Sequence, residues 1–172
     1  MPFFHPDIWR RQLHAAVLYW VALPCAVLGG GFVLDRAAGL PRLSSPSLLV
    51  AGALALALGI VLIWRATVDL TAGGKATPSP FRPPRRLITT GTYRLCRHPM
   101  WLGYHLAALG AILLVGSPGA LLAAWPALLW YSTKFLLKEE RLLLFRFKMA
   151  YADYQDQVPF LLPWPRPHQK RK

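Results

Sequence analysis

Three long apolar runs constrain the fold of this chain more than any other feature of its sequence. They cover residues 13–34, 48–64 and 101–137, and the third is interrupted by Gly116-Ser117-Pro118-Gly119. A helix rises 1.5 Å per residue, so about 20 apolar residues cross a hydrocarbon core of roughly 30 Å. We therefore predict one all-α integral membrane domain over residues 1–172, with about four transmembrane helices, the last two forming a hairpin. The predicted spans are 13–34, 47–65, 100–116 and 118–137.

The distribution of charge predicts the orientation of these spans. The chain carries 20 Lys and Arg against 7 Asp and Glu, and most of the basic residues lie between the second and third spans or from Lys134 onward. Because Lys and Arg are enriched in cytoplasmic loops, we predict that both termini and the loop 66–98 are cytoplasmic. The basic residues gather at helix ends without a stacking-aromatic motif. This pattern favours attraction to a membrane with anionic lipid and argues against a nucleic-acid partner.

Two cytoplasmic segments have a distinctive composition. The segment 72–90 is dense in Gly and Pro and is predicted to be non-helical, either as a basic linker or as a lid over the substrate entrance. Residues 138–157 keep a helical period while gaining charge, so we predict a cytoplasmic amphipathic helix there. Its apolar face is formed by residues at spacings of four, four and three: Leu143, Phe147, Tyr151 and Tyr154.

A polar cluster lies where the third span begins, within Arg97-His98-Pro99-Met100-Trp101-Leu102-Gly103. Pro99 suits the first helical turn, and the helix N-terminus presents free N–H groups that favour a carboxylate. Arg94 and Arg97 reinforce this positive field, while Gly103 allows a helix or a ligand to approach the backbone. His98 and His105 fall on one side of the helix. Alternatively, His98 is a boundary histidine bonded to a loop carbonyl, and His105 is a packed, hydrogen-bonded histidine.

The adjacent carboxylates Glu139 and Glu140 close the fourth span, at the end where the helix dipole disfavours anions. Compensation is expected from Lys138 or Arg141, or from a bound cation or a hydroxyl-rich ligand. A salt-bridge cluster at the membrane interface is the alternative interpretation.

The two cysteines and the histidine spacing predict neither a disulfide nor a metal site. Cys25 lies within the first span and Cys96 at the edge of the third, and no HExxH or other compact ligand spacing is present. Cys96 lies beside arginines, which can lower a thiol pKa. A thiol without a chemical role is the other reading.

The motifs together resemble one family. Gly91-Thr92-Tyr93-Arg94, the Arg97–Gly103 run, the Glu139-Glu140 pair and the ending Tyr151-x-x-Tyr154 with Val158-Pro159 are similar to the isoprenylcysteine carboxyl methyltransferase and phospholipid N-methyltransferase superfamily. Upstream, Gly73-Gly74, Thr77-Pro78 and Pro83-Pro84-Arg85-Arg86-Leu87 resemble small bacterial members. The resemblance covers roughly residues 65–163. Three positions depart from the family pattern: Trp101 stands where Tyr is more usual, Lys148 where Gly is usual, and Thr92 where Pro is common.

The resemblance implies S-adenosylmethionine as cofactor, bound at the cytoplasmic ends of the last membrane helices. The residues that it assigns to the cofactor are His98, Met100, Trp101, Gly103, Glu139 and Glu140, and we add Tyr93 to this set. We predict catalytic roles for Arg97, His98 and Glu140. We predict contacts with the acceptor for Arg94, His105, Tyr151 and Tyr154.

The function implied by the resemblance is methyl transfer to a lipophilic acceptor at the cytoplasmic face, in a bacterial inner (plasma) membrane. An amine-bearing phospholipid ranks slightly ahead of a prenylcysteine-like carboxylate. Two alternatives stay open: a membrane reductase of related architecture with a nicotinamide cofactor, and a non-enzymatic four-helix membrane scaffold. The oligomeric state is not predicted.

Overall fold

The computed structural model describes residues 22–74 and 86–163, and this part of the chain is helical. The predicted all-α class is confirmed there. Its five α-helices are α1 (Leu23–Ala38), α2 (Pro46–Gly74), α3 (Pro99–Val115), α4 (Trp125–Phe147) and α5 (Met149–Gln157). A 3₁₀ turn, Gly91–Arg94, precedes α3, and a π-helical turn, Ala120–Ala124, leads directly into α4.

Two of these helices are long and apolar enough to cross a membrane. They are Pro46–Gly73, with a mean hydropathy of 2.5, and Ala120–Phe147, with a mean hydropathy of 1.3. Pro99–Val115 is apolar but shorter. The first predicted span, 13–34, begins outside the described residues, so the count of four spans stays a prediction.

The observed helices differ from the predicted segments at two places. Residues 66–74, assigned to the cytoplasmic loop, belong to α2, because no proline interrupts the helix before Pro78. For the same reason 72–74 are helical, although 72–90 was predicted to be non-helical; residues 75–85 lie outside the described part. The predicted helix 138–157 is also divided. Its first half continues α4 to Phe147, and Lys148, with φ 49°, separates it from α5.

The backbone conformation of Lys148 explains why glycine is usual at this position in the family. Its φ of 49° and ψ of −124° lie in a backbone region that glycine adopts readily and other residues rarely do. The turn brings α5 back so that Tyr151 and Tyr154 are buried, with Leu143 and Phe147 packed against them. The predicted apolar face therefore forms a cluster, although its residues do not share one helix.

Glycines allow α2 and α3 to pack closely in antiparallel directions. A Cβ placed on Gly103 would lie 2.8 Å from the Gly59 carbonyl oxygen, and one on Gly59 would overlap the backbone nitrogen of Ala107. Two turns away, a Cβ on Gly110 would lie 2.6 Å from the Gly52 carbonyl oxygen. Carbon and oxygen cannot approach this closely, so these positions require glycine. The small size of Gly103 serves this contact with α2.

The turn between α3 and α4 is fixed by a carboxylate from α1. Asp35 accepts hydrogen bonds from Ser117 Oγ at 2.5 Å and from the Gly119 N–H at 2.6 Å. Ser117 Oγ in turn accepts from the Ala120 N–H at 3.1 Å, and Gly116 adopts φ 70°. The turn makes α3 and α4 antiparallel neighbours, so the start of α3 meets the end of α4.

Candidate active site

Glu140 is the centre of a buried polar cluster at the junction of α3, α4 and α5. Arg97 Nη1 lies 3.0 Å and 3.1 Å from its two carboxylate oxygens. His98 Nε2 is 3.1 Å from Oε1, the Tyr151 hydroxyl donates to Oε1 at 3.2 Å, and Gln155 Nε2 donates to Oε2 at 3.1 Å. Hydrogen bonds to a carboxylate and a nearby guanidinium favour the charged form. The cluster therefore holds a carboxylate and a guanidinium together in a buried place.

Local structure explains why these side chains converge. His98 is the residue that precedes α3, and Pro99 occupies the first turn as predicted. The Arg97 N–H donates to the Pro159 carbonyl at 2.9 Å, which joins the segment after α5 to the start of α3. Phe160 then covers both groups: its ring centroid is 5.0 Å from that of His98, edge to face, and Arg97 Cζ lies 5.5 Å from it.

The Gly91–Arg94 turn is held from two sides. Asp69 of α2 accepts from the Thr92 N–H at 2.7 Å and from Thr92 Oγ1 at 2.8 Å. From the other side, the Tyr154 hydroxyl donates to the Tyr93 carbonyl at 2.7 Å. Gly91 has φ 63° and packs directly against the Asp69 carboxylate, which leaves no room for a side chain. Proline, which is common at this position in the family, has no N–H to donate to Asp69. The threonine found here therefore makes a hydrogen bond that proline could not make.

Burial keeps the phenols of this region protonated. It raises the pKa of Tyr151, where the Glu140 charge adds to the effect, and it raises the pKa of Tyr154. It also raises the pKa of Tyr93, with a further contribution from the Glu139 carboxylate. These hydroxyls are therefore hydrogen-bond donors at neutral pH. Burial raises the pKa of Cys96 to about 11, so the idea of a thiol activated by arginines is wrong.

A layer of aromatic rings lies beneath the Glu140 cluster. The Trp101 ring centroid is 5.8 Å from that of Phe135, 5.8 Å from that of Tyr104 and 6.2 Å from that of His105. Below it, His105 Nε2 lies 2.9 Å from Ser132 Oγ, and both residues are buried. The predicted alternative of a packed, hydrogen-bonded histidine describes this contact of His105.

The adjacent glutamates have different surroundings. Glu140 is saturated with partners, whereas the partly buried Glu139 has no hydrogen bond or ion pair within residues 22–74 and 86–163. The expected compensation of the pair by Lys138 or Arg141 is wrong for Glu140, because Arg97 and His98 provide it instead. The alternative of a salt-bridge cluster is thus present at Glu140, and His98 bonds to this carboxylate rather than to a loop carbonyl.

The structure assembles most of the residues singled out by sequence. Arg97, His98, Glu140 and Tyr151 are in contact, Tyr154 bonds to the turn that holds Tyr93, and Met100 and Trp101 follow in the first turn of α3. Arg94 is exposed, and Gly103 faces α2.

Four residues that contribute to this region were missed by sequence reasoning. These four residues are Asp69, Ser132, Gln155 and Phe160. Asp69 was detectable as a lone acidic residue in an apolar run, whereas nothing in the local pattern pointed to the other three.

An apolar cavity of about 230 Å³ lies beside this region, between α1, α2, α3 and α4. Ile63 and Tyr104 line it nearest to the Glu140 cluster, and Leu56 and Ala111 line it further along the helices. Its walls are hydrocarbon, and they suit an alkyl chain better than a polar molecule. Among the described residues, no three His, Cys, Asp or Glu side chains are grouped so as to hold a metal ion.

The described helices thus combine membrane-length apolar segments with a buried Arg–His–Glu cluster where two of them meet, as expected for a membrane enzyme. The chain matches the phospholipid methyltransferase family over residues 48–150, more than half of its length, and it belongs to that family. No curated protein and no solved structure matches it significantly. Family members use S-adenosylmethionine, so the protein is a membrane methyltransferase with this cofactor, and the reductase and scaffold alternatives are wrong.

The residues present fit the chemistry of that cofactor. The carboxylate of Glu139 makes no hydrogen bond or ion pair with residues 22–74 and 86–163, and the buried Arg97 Nε has no hydrogen-bond partner in this part of the chain. A carboxylate suits the hydroxyl and ammonium groups of the cofactor, and an arginine beside a helix N-terminus suits its carboxylate. The face of Trp101 suits a sulfonium.

Proposed function

We propose that the protein transfers a methyl group to the amine of a phospholipid at the cytoplasmic face of a bacterial plasma membrane. The observation that carries this proposal is the buried Arg97–His98–Glu140 cluster at the meeting of α3 and α4, directly above an aromatic layer. With four spans, the charge distribution favours an orientation with both termini cytoplasmic, and in that orientation the cluster lies on the cytoplasmic side. We assign the cofactor to this cluster and the acceptor to the apolar side below it.

Within this site, Glu139 and Glu140 have separate tasks. Glu140 is the positioning residue, because it holds Arg97 and His98 in place through contacts of 3.0–3.1 Å. Glu139 is the carboxylate that binds the ribose or the amino group of the cofactor. Tyr93, Met100 and Trp101 line the cofactor alongside it.

When bound, S-adenosylmethionine supplies a methyl group on a sulfonium, which an electron-rich nucleophile displaces in line. The protein has to align the nucleophile and exclude water, and this positioning lowers the barrier by several kcal/mol. The Phe160 ring over His98 and Arg97 shields the cluster from solvent. Trp101 and Phe135 form an apolar floor, across which the acceptor approaches.

An amine-bearing phospholipid is the acceptor that suits the surroundings best. The exposed Arg94 lies at the membrane boundary, where a lipid phosphate is available for a charge-assisted contact. The apolar cavity lined by Ile63 and Tyr104 accommodates part of an alkyl chain. A prenylcysteine-like carboxylate also has an apolar tail, but it carries no phosphate for Arg94.

Incubation of the purified protein with methyl-labelled S-adenosylmethionine and a total lipid extract tests the proposal. Label in monomethylated phosphatidylethanolamine is the expected result, and a His98→Ala variant should abolish it. A parallel reaction with a prenylcysteine carboxylate should stay unlabelled. Label in the methyl ester of the prenylcysteine, or an absence of label in every lipid, would refute the assignment of a phospholipid amine.

A further inference from the structure

A second polar pair lies below the cofactor site and has no part in it. His105 and Ser132 are 4% and 1% exposed, with Nε2 and Oγ 2.9 Å apart. His105 lies seven positions after His98, which corresponds to about 10 Å along the helix. The Trp101 layer lies between the two levels. A hydrophobic residue would fill this place at less cost, because burying polar groups in an apolar interior is unfavourable unless they are paired.

The hydrogen bonds of Ser132 bear on the state of the imidazole. Ser132 Oγ has a single hydrogen and two acceptors within reach, the Leu129 carbonyl at 3.0 Å and His105 Nε2 at 2.9 Å. We assign the hydrogen to the carbonyl, so that the hydroxyl offers lone pairs to His105. In this assignment His105 donates from Nε2, which leaves a lone pair on Nδ1. That atom is buried and has no hydrogen-bond partner in the described part of the chain. A buried, unpaired acceptor in a neutral imidazole calls for a ligand with an N–H or O–H group.

We propose that His105 is the residue that selects the methyl acceptor, with Nδ1 accepting a hydrogen bond from the amine of the lipid headgroup. This inference rests on the proposed function. An amine offers N–H donors to Nδ1, whereas a carboxylate or thiolate offers lone pairs, which repel it. Ser132 is the positioning residue, because it fixes the tautomer. The headgroup enters sideways between the helices. Side chains around His105 move to expose Nδ1, and they include Trp101, whose ring centroid is 6.2 Å from that of His105.

Two conservative substitutions of His105 test the contributions of its two ring nitrogens separately. The amide of His105→Gln reaches the position of Nε2 and keeps the Ser132 contact, whereas that of His105→Asn reaches only the position of Nδ1 and keeps an acceptor there. We expect His105→Gln to raise KM for phosphatidylethanolamine in mixed micelles about tenfold, the loss of one buried hydrogen bond. His105→Asn should raise it less. Adenosylhomocysteine affinity, measured by calorimetry, should be unchanged in both.

Ser132→Ala and Thr133→Val form a matched pair for the positioning role. Both hydroxyls donate to the Leu129 carbonyl, but only Ser132 contacts His105. We expect Ser132→Ala to raise KM for phosphatidylethanolamine severalfold and Thr133→Val to leave it within twofold. Equal effects of the two substitutions would overturn the role of Ser132.

A measurement without turnover distinguishes this inference from the proposed function. In ¹⁵N NMR of histidine-labelled protein, the His105 signals, assigned by their loss in His105→Gln, should show an unprotonated Nδ1. Phosphatidylethanolamine should shift that signal, and phosphatidylcholine, whose nitrogen carries no hydrogen, should not. A protonated Nδ1, or equal shifts with both lipids, would overturn the inference even if the enzyme methylates phospholipid. The expected shifts in a protein that transfers no methyl group would overturn the proposed function, and with it the role of His105 in selecting an acceptor, but not the contact between Nδ1 and the amine.

Discussion

Replacing Glu140 with glutamine should destabilise the protein far more than the same replacement one residue earlier. The Arg97 and Glu140 side chains are 8% and 10% exposed, and their charged atoms are 3.0 Å apart. At an effective dielectric constant of about 20, two unit charges at that distance attract each other by about 5 kcal/mol. Removing one partner of a buried pair costs about 3–5 kcal/mol, because the other charge stays buried. Glutamine keeps one acceptor oxygen, so we expect about 3 kcal/mol.

Thermal unfolding in detergent measures this loss, with Glu139→Gln as the matched control. For a chain of this size, about 3 kcal/mol corresponds to a fall in Tm of roughly 6–12 °C. Glu139 has no partner within residues 22–74 and 86–163, so its substitution should shift stability by no more than about 0.5 kcal/mol. In our assignment it instead removes a charge-assisted contact to the cofactor. Calorimetry with adenosylhomocysteine should then show about a tenfold or greater loss of affinity.

A double substitution tests the electrostatic origin of the effect. Arg97→Met removes the guanidinium that Glu140→Gln leaves unpaired, so the double variant should be more stable than the sum of the two single losses implies. Equal falls in Tm for the two glutamine variants, or a Glu140→Gln protein with unchanged Tm, would refute the reasoning.

Three further substitutions test the frame around the site. Gly59→Ala should lower Tm by several degrees because its Cβ overlaps α3, whereas Gly29→Ala, with nothing within 4 Å, should raise Tm slightly through helix propensity. Asp69→Ala should cost about 1–3 kcal/mol in unfolding free energy by leaving the Thr92 N–H unpaired, and Asp69→Asn should recover part of it. Lys148→Gly should raise Tm, because it removes about 1–3 kcal/mol of backbone strain at φ 49° at a smaller entropic cost; a lower Tm would contradict this conformation.

The sequence predicted features that depend on composition and on short motifs. Long apolar runs predicted the helices, and Gly116–Gly119 predicted the turn between α3 and α4, because both signals are local. The meeting of the Arg97-His98 run with Glu140 was also expected, since both lie at the ends of adjacent helices. The different surroundings of Glu139 and Glu140 were not predictable. Adjacent residues on a helix point about 100° apart, and only the packing decides which one is buried.

Other features depend on tertiary contacts that no local pattern encodes. Helix α2 continues to Gly74, beyond the predicted end of the span at residue 65. The charges at Arg65 and Asp69 signal the end of an apolar run but not the end of a helix. Phe160 lies beyond the predicted helix and reaches the site only because the Pro159 carbonyl bonds to Arg97. For the break at Lys148, the sequence offered the glycine that is usual at this position in the family, but lysine itself is a good helix former. Its backbone conformation there is imposed by the burial of α5.

The contacts between α3 and α4 explain why the motif spacing is what it is. His98 with Glu140, Trp101 with Phe135 and His105 with Ser132 are three pairs at successive levels, all centred on residues 118–119. That centre coincides with the turn closed by Asp35, Ser117 and Gly119. In an antiparallel hairpin, the distance of a residue from the turn decides its partner. The separation of 42 positions between His98 and Glu140 therefore follows from the length of the two helical arms. An extra residue in either arm would rotate everything beyond it by about 100° and separate the carboxylate from its imidazole. The turn at the far end of the hairpin therefore sets the register of the cofactor site, although it is about 30 Å away along the helix.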